Sequence, residues 1–400
     1  MRRTGEVLLV FLRLGCTSFG GPVAHIGYFR AEFVERRRWL AESVFADLFA
    51  LCQFMPGPAS SQLGMSIGLL RAGPLGMLAA WFGFTLPSAL LMFAFALGVQ
   101  ALGDVSNADW LKGLKLVAVA VVAQAVWGMA RSLAPDRPRA TLAVAAALVA
   151  LAMPSSVGQI SAIVLGAVSG ATLLPKPVAS SSTEHTPFGI EIHRAFAVAA
   201  LAVFFVLLVF LPTLAATTNS QAVRLFDAFY RAGALVFGGG HVVLPLLQAA
   251  VVPPGWVSND AFLAGYGAAQ AMPGPLFTFS AYLGAAMIPL PHGAAGALIA
   301  IVAIFAPSFL LVIGLLPFWD TLRQRQAMQA ILHGVNASVV GVLLAALYTP
   351  VWTSGVHTPA GFGLGAAAFL ALAFWAVPPW IVVIAGALIA AGLGALGVPL

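Results

Sequence analysis

Four short stretches hold nearly all the residues of this chain that could bind something. "SFGGPVAHIG" (18–27) and "CQFMPGPASSQL" (52–63) lie in the first half, "VFGGGHVVLPLL" (236–247) and "QAMPGPLFTF" (270–279) in the second. Each breaks an apolar run with glycine and proline. Proline has no N–H and suits the first turn of a helix, so Pro22, Pro58 and Pro275 are placed to begin a second half-helix after a break. Glycine lets the backbone turn and lets a ligand come close. A helix start leaves N–H groups unpaired and carries a partial charge of roughly +0.5, which makes it an anion site. Four such starts, if they converge, sum to about +2. That suits a tetrahedral dianion and spares the chain an intramembrane lysine. The candidate binding residues are Gly20, Gly21, Pro22 and His25; Gln53, Pro56, Gly57, Pro58, Ser60, Ser61 and Gln62; Gly238, Gly239, Gly240 and His241; and Gln270, Pro273, Gly274, Pro275, Thr278 and Ser280. Their hydroxyls and amides would donate to oxyanion oxygens. A lone Pro-Gly-Pro is most often only a kink. Two copies, each three residues after a glutamine, argue for a site.

The elements that must position these residues are membrane helices. Of 400 residues, 61% are hydrophobic and 8% charged, with a mean hydropathy of +0.98. A soluble protein carries about 25% charged residues, so this chain cannot cover a water-facing surface. A span needs ~20 apolar residues, and the apolar runs allow roughly a dozen. They are rich in Ala, Leu and Val, unlike the alternating ~10-residue segments of a membrane barrel. The net charge of +6 reads as loop cations that set topology rather than as a nucleic-acid surface. Cys16 and Cys52 fall inside apolar runs and read as small buried hydrophobes. The start, "MRRTGEVLLVFLRLG", is charged like a signal peptide's. Arg13 interrupts its apolar stretch and no A-x-A site follows, so the segment is expected to be retained.

The chain repeats itself. "FLRLGCTSFGG" (11–21) lies over "FYRAGALVFGG" (229–239), and "WLAESVFADLFALCQFMPGP" (39–58) over "WVSNDAFLAGYGAAQAMPGP" (256–275). "LPSALL" (86–91) echoes "APSFLL" (306–311), and "LKGLK" (111–115) echoes "LHGVN" (332–336). Corresponding loops carry opposite signs. Residues 30–40 hold four arginines and 249–260 none; 130–139 is basic and 349–361 is not; 99–110 is acidic, while 319–328 holds Arg323 and Arg325. The positive-inside rule then places corresponding loops on opposite sides. The expectation is an all-α polytopic membrane protein of two inverted-topology repeats, with broken or re-entrant helices and about 13 membrane segments. The repeats would occupy residues 1–174 and 221–400. The stretch 175–220 would hold a polar linker (175–194) and a connecting helix (196–216). Inverted repeats with interrupted helices bind substrate near the bilayer midplane. Each broken segment could dip in and return, or cross as a bent pair.

Single side chains have a plain reading beside the functional one. Arg13 and its counterpart Arg231 could face an anion path or snorkel to the interface. Asp47, whose counterpart is Ala264, could carry protons or pair with Arg13. His25 and His241 could donate to a substrate, titrate near pH ~6.5, or simply be packed. Lys112 and Lys115 share one helix face. Trp39 and Trp256 fit interfacial anchors. A membrane enzyme would need a nucleophile–base pair or a metal cluster. There is no H-E-x-x-H, no G-x-S-x-G and no close His/Asp/Glu group, so neither catalysis nor a cofactor or metal is expected.

The four glycine-proline stretches resemble the chromate ion transporter (CHR) family over nearly the whole chain, in its long, two-domain form. The resemblance implies chromate extrusion across the bacterial inner membrane, driven by the proton-motive force and conferring chromate resistance. Sulfate, an isostere, is the natural competitor. The N-terminus would be cytoplasmic and the C-terminus periplasmic. The partners implied are the oxyanion and the lipid bilayer, with no nucleic acid, and a homo-oligomer is compatible with this. A carrier importing sulfate or molybdate and a passive anion channel are the rival readings. Gly240-His241 stands where the first half has Pro22-Val23, which breaks the symmetry of the site.

Overall fold

The computed structural model describes residues 2–102, 108–174, 192–323 and 325–400. The expected polar linker falls almost wholly outside these residues, as does the middle of the acidic 99–110 loop. Among the described residues the chain is all-helical. The first half runs α1 (Arg2–Thr17), α2 (Gly21–Arg30), α3 (Glu42–Phe54), α4 (Ala59–Ala101), α5 (Asp109–Leu133), α6 (Arg137–Ala152) and α7 (Ser156–Thr172). Then comes α8 (Arg194–Thr217). The second half runs α9 (Gln221–Leu235), α10 (Val243–Val251), α11 (Asn259–Ala269), α12 (Phe279–Ala286), α13 (Gly293–Leu315), α14 (Trp319–Arg323), α15 (Gln326–Ala346), α16 (Thr353–Gly355), α17 (Pro359–Ala373) and α18 (Pro379–Ala395).

Helix α4 is two arms. Ala72 and Gly73 leave helical geometry, and Gly68 of the short arm lies against Gly76 of the long one. In the second half α12 and α13 are separate helices that meet the same way, at Gly284 and Gly296. Among the described residues, five helical stretches are long and apolar enough to cross a membrane: Ala59–Ala101, Asp109–Leu133, Arg194–Thr217, Gly293–Phe318 and Gln326–Gly355. The protein is a multi-pass helical membrane protein.

Packing follows the repeat. Helix α1 packs on α4, and α9 on α13. The outer pairs are exchanged: α6 and α7 pack on α15 of the other half, and α17 and α18 on α5 in return. Small residues allow this close approach, as expected between membrane helices. Gly113 meets Gly386, and Gly166 meets Gly334.

The breaks make hairpins whose feet lie at one end. Glu6 at the start of α1 pairs with Arg37, beyond α2, at 3.3 Å, and with Arg71, at the end of α4's short arm, at 3.1 Å. Arg71 stands over the Trp39 ring, 4.7 Å from its centre, just before α3. Thus α1–α2 and α3–α4 both return to this arginine-rich end. In the second half the Ile288 N–H donates to the Trp256 carbonyl at 2.8 Å, closing α11 and α12 in the same manner. The long arm of α4 runs from the arginine end to Gln100, whose amide donates to the Ala285 carbonyl at 3.1 Å. At 1.5 Å per residue it covers about 40 Å, so the second half's feet lie at the far end.

One expectation is corrected. Cys52 is buried, but Cys16 is exposed on the outer face of α1. Apolar flanks do not imply protein contact in a membrane helix, because lipid serves as well as protein.

Candidate functional site

Counterpart glycines of the two Pro-Gly-Pro turns bind across the halves. The Gly274 N–H donates to the Ser18 carbonyl at the end of α1 (2.9 Å), and the Gly57 N–H to the Val236 carbonyl at the end of α9 (2.6 Å). These are equivalent bonds, exchanged between repeats. Each turn also presses on a serine of the other half. A Cβ at Gly274 would stand 2.9 Å from Ser88 Oγ, and one at Gly57 3.0 Å from Ser308 Oγ. Both glycines have positive φ (+88° and +122°), which favours glycine there. Ser88 sits halfway along α4's long arm, roughly 20 Å from either end. The breaks therefore lie at mid-depth.

A cavity of about 430 Å³ opens beside one pair of breaks. Gly20 and Gly21 from the first half form part of its wall, and Gln270 and Gly274 from the second. Gln124 of α5, His241 and Tyr28 add polar groups, and Trp380 packs against Phe19 at 5.9 Å. No Lys, Arg, Asp or Glu lines it among the described residues. Gly21 has φ +75° and nothing within 4 Å of where a Cβ would stand, so its backbone faces open space. Gln124 Nε2 donates to the Leu372 carbonyl at 3.1 Å. His241 Nδ1 lies 2.8 Å from the buried Tyr266 hydroxyl. A buried phenol needs an acceptor. Giving its proton to Nδ1 assigns the neutral ring's hydrogen to Nε2, a donor for the chamber.

The remaining predicted residues surround the chamber without lining it. His25 ties the first half's two breaks together, 3.2 Å from the Ser18 carbonyl and 3.3 Å from Ser60 Oγ. A carbonyl only accepts, so Nε2–H donates to Ser18 and Nδ1 accepts from Ser60. Pro22 stands in the first turn of α2, and Pro58 immediately precedes α4. Pro275 opens a single 3₁₀ turn (residues 276–278) ahead of α12, and Gly240 a like turn (240–242) ahead of α10. Gln62 Nε2 donates to the Pro56 carbonyl at 2.7 Å. Thr278 Oγ1 donates to the Pro275 carbonyl at 2.8 Å. Ser61 Oγ, Gln62 Oε1 and Ser280 Oγ are buried without a hydrogen-bond partner among the described residues. Pro273 belongs to the turn but not to the chamber wall. Gln53 is exposed, whereas its counterpart Gln270 faces the chamber. Gly238 and Gly239 lie under Met129 and Leu133.

The charged candidates lie elsewhere. Arg13 is on the exposed face of α1. Arg231 is held by both oxygens of Asp227, one turn away on α9, at 2.9 and 2.7 Å. Asp47 is half-buried on α3. Lys115 pairs with Asp260 at 3.0 Å, and Lys112 with Asp109 at 2.8 Å.

Summing four helix starts overlooks that every break also presents the end of the preceding helix. That end is negative. Here the Ser18 and Val236 carbonyls are such ends, and the Gly274 and Gly57 N–H groups satisfy them. The site's donors are thus the N–H groups of the α2 start, the amides of Gln124 and Gln270, and His241. Sequence reasoning missed Gln124, Tyr28 and Trp380. Gln124 was findable, as a lone amide inside an apolar helix. Tyr28 and Trp380 carried no signal that would separate them from interfacial aromatics.

A family model described as "Chromate transporter" matches residues 5–172 and again 223–391. A chromate transport protein from Pseudomonas aeruginosa is 28% identical over 96% of this chain and 89% of its own. A probable chromate transport protein from Synechococcus elongatus is 28% identical over 84% of this chain and 82% of its own. A chromate transport protein from Cupriavidus metallidurans is 25% identical over 88% and 84%. No solved structure matches the chain.

Proposed function

The chain belongs to the chromate transporter family, and on that premise we propose that it carries chromate through the mid-depth chamber. The observation that carries this reading is the chamber wall. Glycine turns from both halves, two amides and one imidazole face a space of about 430 Å³ with no ionised side chain among its lining residues. A dianion is held there by neutral donors, which bind it without trapping it. We read the direction as extrusion across the bacterial inner membrane, driven by the proton-motive force and conferring resistance.

The halves are read as inverted-topology repeats of residues 1–174 and 221–400, joined through 175–220. Two features support this: the far-end bond of Gln100 to Ala285, and the two separate matches of the family model. On this reading each re-entrant hairpin is one segment, which makes 13 among the described residues, six in each half with α8 between them. The arginine end is cytoplasmic by its charge. That puts the N-terminus inside and the C-terminus outside.

Everted membrane vesicles test the function. Energised vesicles holding the protein should accumulate labelled chromate, and vesicles without it should not. Sulfate, of the same charge and shape, should compete. Accumulation that ignores a proton gradient at fixed voltage would make the protein a channel, and none at all would remove chromate as cargo.

A further inference from the structure

A second cavity, of about 330 Å³, mirrors the chamber. The chamber lies between α2, α5 and the tip joining α17 to α18. The second cavity lies between their counterparts α10, α15 and the tip joining α6 to α7. Val342 and Ala345 hold the places that Val121 and Gln124 hold in the chamber, and Pro154 stands at the tip as Pro378 does. It too is lined by no charged residue among those described.

The two differ in depth. The chamber reaches its glycine break, while the second cavity stops short of Gly238 and Gly239. Side chains from the end of α5, which are not among the second cavity's lining, cover this break. A Cβ at Gly238 would stand 3.0 Å from a Leu133 methyl and 3.5 Å from Met129 Cε, and one at Gly239 3.7 Å from Met129 Sδ. In the first half nothing stands within 4 Å of Gly21, and Gly20 meets only Ala24 of the following helix, at 3.0 Å. In addition, Gln159 of α7 reaches across to donate to the Pro245 carbonyl of α10 at 2.9 Å. With Gly166 set over Gly386, its counterpart is Pro379, which has no amide and offers no such clasp.

We propose that the second cavity is the opposite-side vestibule of the same oxyanion path. It is closed in this conformation by Met129 and Leu133 over the second glycine break and by the Gln159 clasp. This rests on the inverted-repeat reading. Two repeats of one architecture can exchange conformations. The exchange would lift the end of α5 off Gly238 and release Gln159, while the chamber beside Gly21 closes. The lid, two apolar side chains beside the Asn336 amide oxygen 3.4 Å from the Gly238 Cβ position, keeps water and the dianion from crossing in this state. Only one break is open at a time, which separates a carrier from a pore.

Phe19 lines the open chamber, and Phe237, its counterpart, lines neither cavity. Single Phe19→Cys and Phe237→Cys variants, in a Cys16→Ser/Cys52→Ser background, would be labelled with an impermeant thiol reagent from each side of oriented vesicles. Tyr28→Cys and Gln248→Cys, nearer the mouths, serve as a second pair if the first loses transport. The expected result is labelling from opposite sides, with the rate at one position falling at least fivefold when an imposed chromate gradient raises the other. Met129→Ala/Leu133→Ala should speed labelling at 237 and leave that at 19 unchanged. Labelling of both positions from one side, or both at full rate together, would overturn the proposal. So would silence at 237 and 248 in protein that carries chromate. Labelling is also read under voltage without chromate. Reciprocal labelling without chromate flux would sink the cargo and keep the vestibule; chromate flux with a silent second cavity would do the opposite.

Discussion

A dianion in a membrane needs donors more than it needs full charges. A lysine at the midplane would bind it too firmly and cost several kcal/mol when the site emptied. On the proposed reading, the chamber answers this with Gln124, Gln270, His241 and the backbone at Gly21. Gln124→Leu keeps the volume and removes a donor. It should raise the chromate KM about tenfold, on the order of one hydrogen bond to a charged group, and leave the amount of protein in the membrane unchanged. Transport titrations would show this, and an unaltered KM would take Gln124 out of the site. Gly21→Leu places a side chain where φ is +75° and fills the open space. Chromate tolerance of cells carrying it should fall to that of cells without the protein.

At the scale of elements, the unit is the broken hairpin, and its turn is set from outside. Gly274 is fixed by the end of α1 and by Ser88, and Gly57 by the end of α9 and by Ser308. Gly274→Ala adds a Cβ against Ser88 at φ +88°. Strain of this kind costs about 1–3 kcal/mol, so the melting temperature in detergent should drop, and transport with it. The hairpin feet have a pH response of their own. Burial would raise the Glu32 carboxyl, but hydrogen bonds from Arg37 and Arg36 outweigh it and hold it below its ordinary value of 4.5. A depressed carboxylate contributes fully above its unfolded value and loses that contribution as the pH falls. Acid should therefore loosen the arginine end, and Glu32→Gln should remove this part of the acid response in melting curves.

We read the whole molecule as two interlocked copies of one plan. Exchange of the outer pairs, α6–α7 onto α15 and α17–α18 onto α5, means neither half completes its own packing. A half expressed alone should leave these faces bare and fail to insert stably, whereas both halves expressed as separate chains should reassemble. Co-purification through a tag on one half would test it. Topology has a direct check as well. Cysteines scanned through residues 30–38 and 249–260 should label from opposite sides of the membrane, and labelling from one side would end the inverted arrangement.

Composition and pattern alone determined the membrane class and the location of the breaks, and the likeness of four motifs pointed to the family. These rest on local properties: apolar runs must be buried in lipid, and glycine with proline must interrupt helices. Which break faces an open chamber was not legible. Gln53 and Gln270 occupy equivalent places in their motifs, yet one is exposed and the other lines the site. Nor could spacing show that Arg231 is neutralised by Asp227, or that carbonyls at the ends of α1 and α9 consume two of the expected donors. Those outcomes depend on what the other half brings to the same point. A repeated sequence is symmetric by its nature, while the conformation that two such copies adopt together is free not to be.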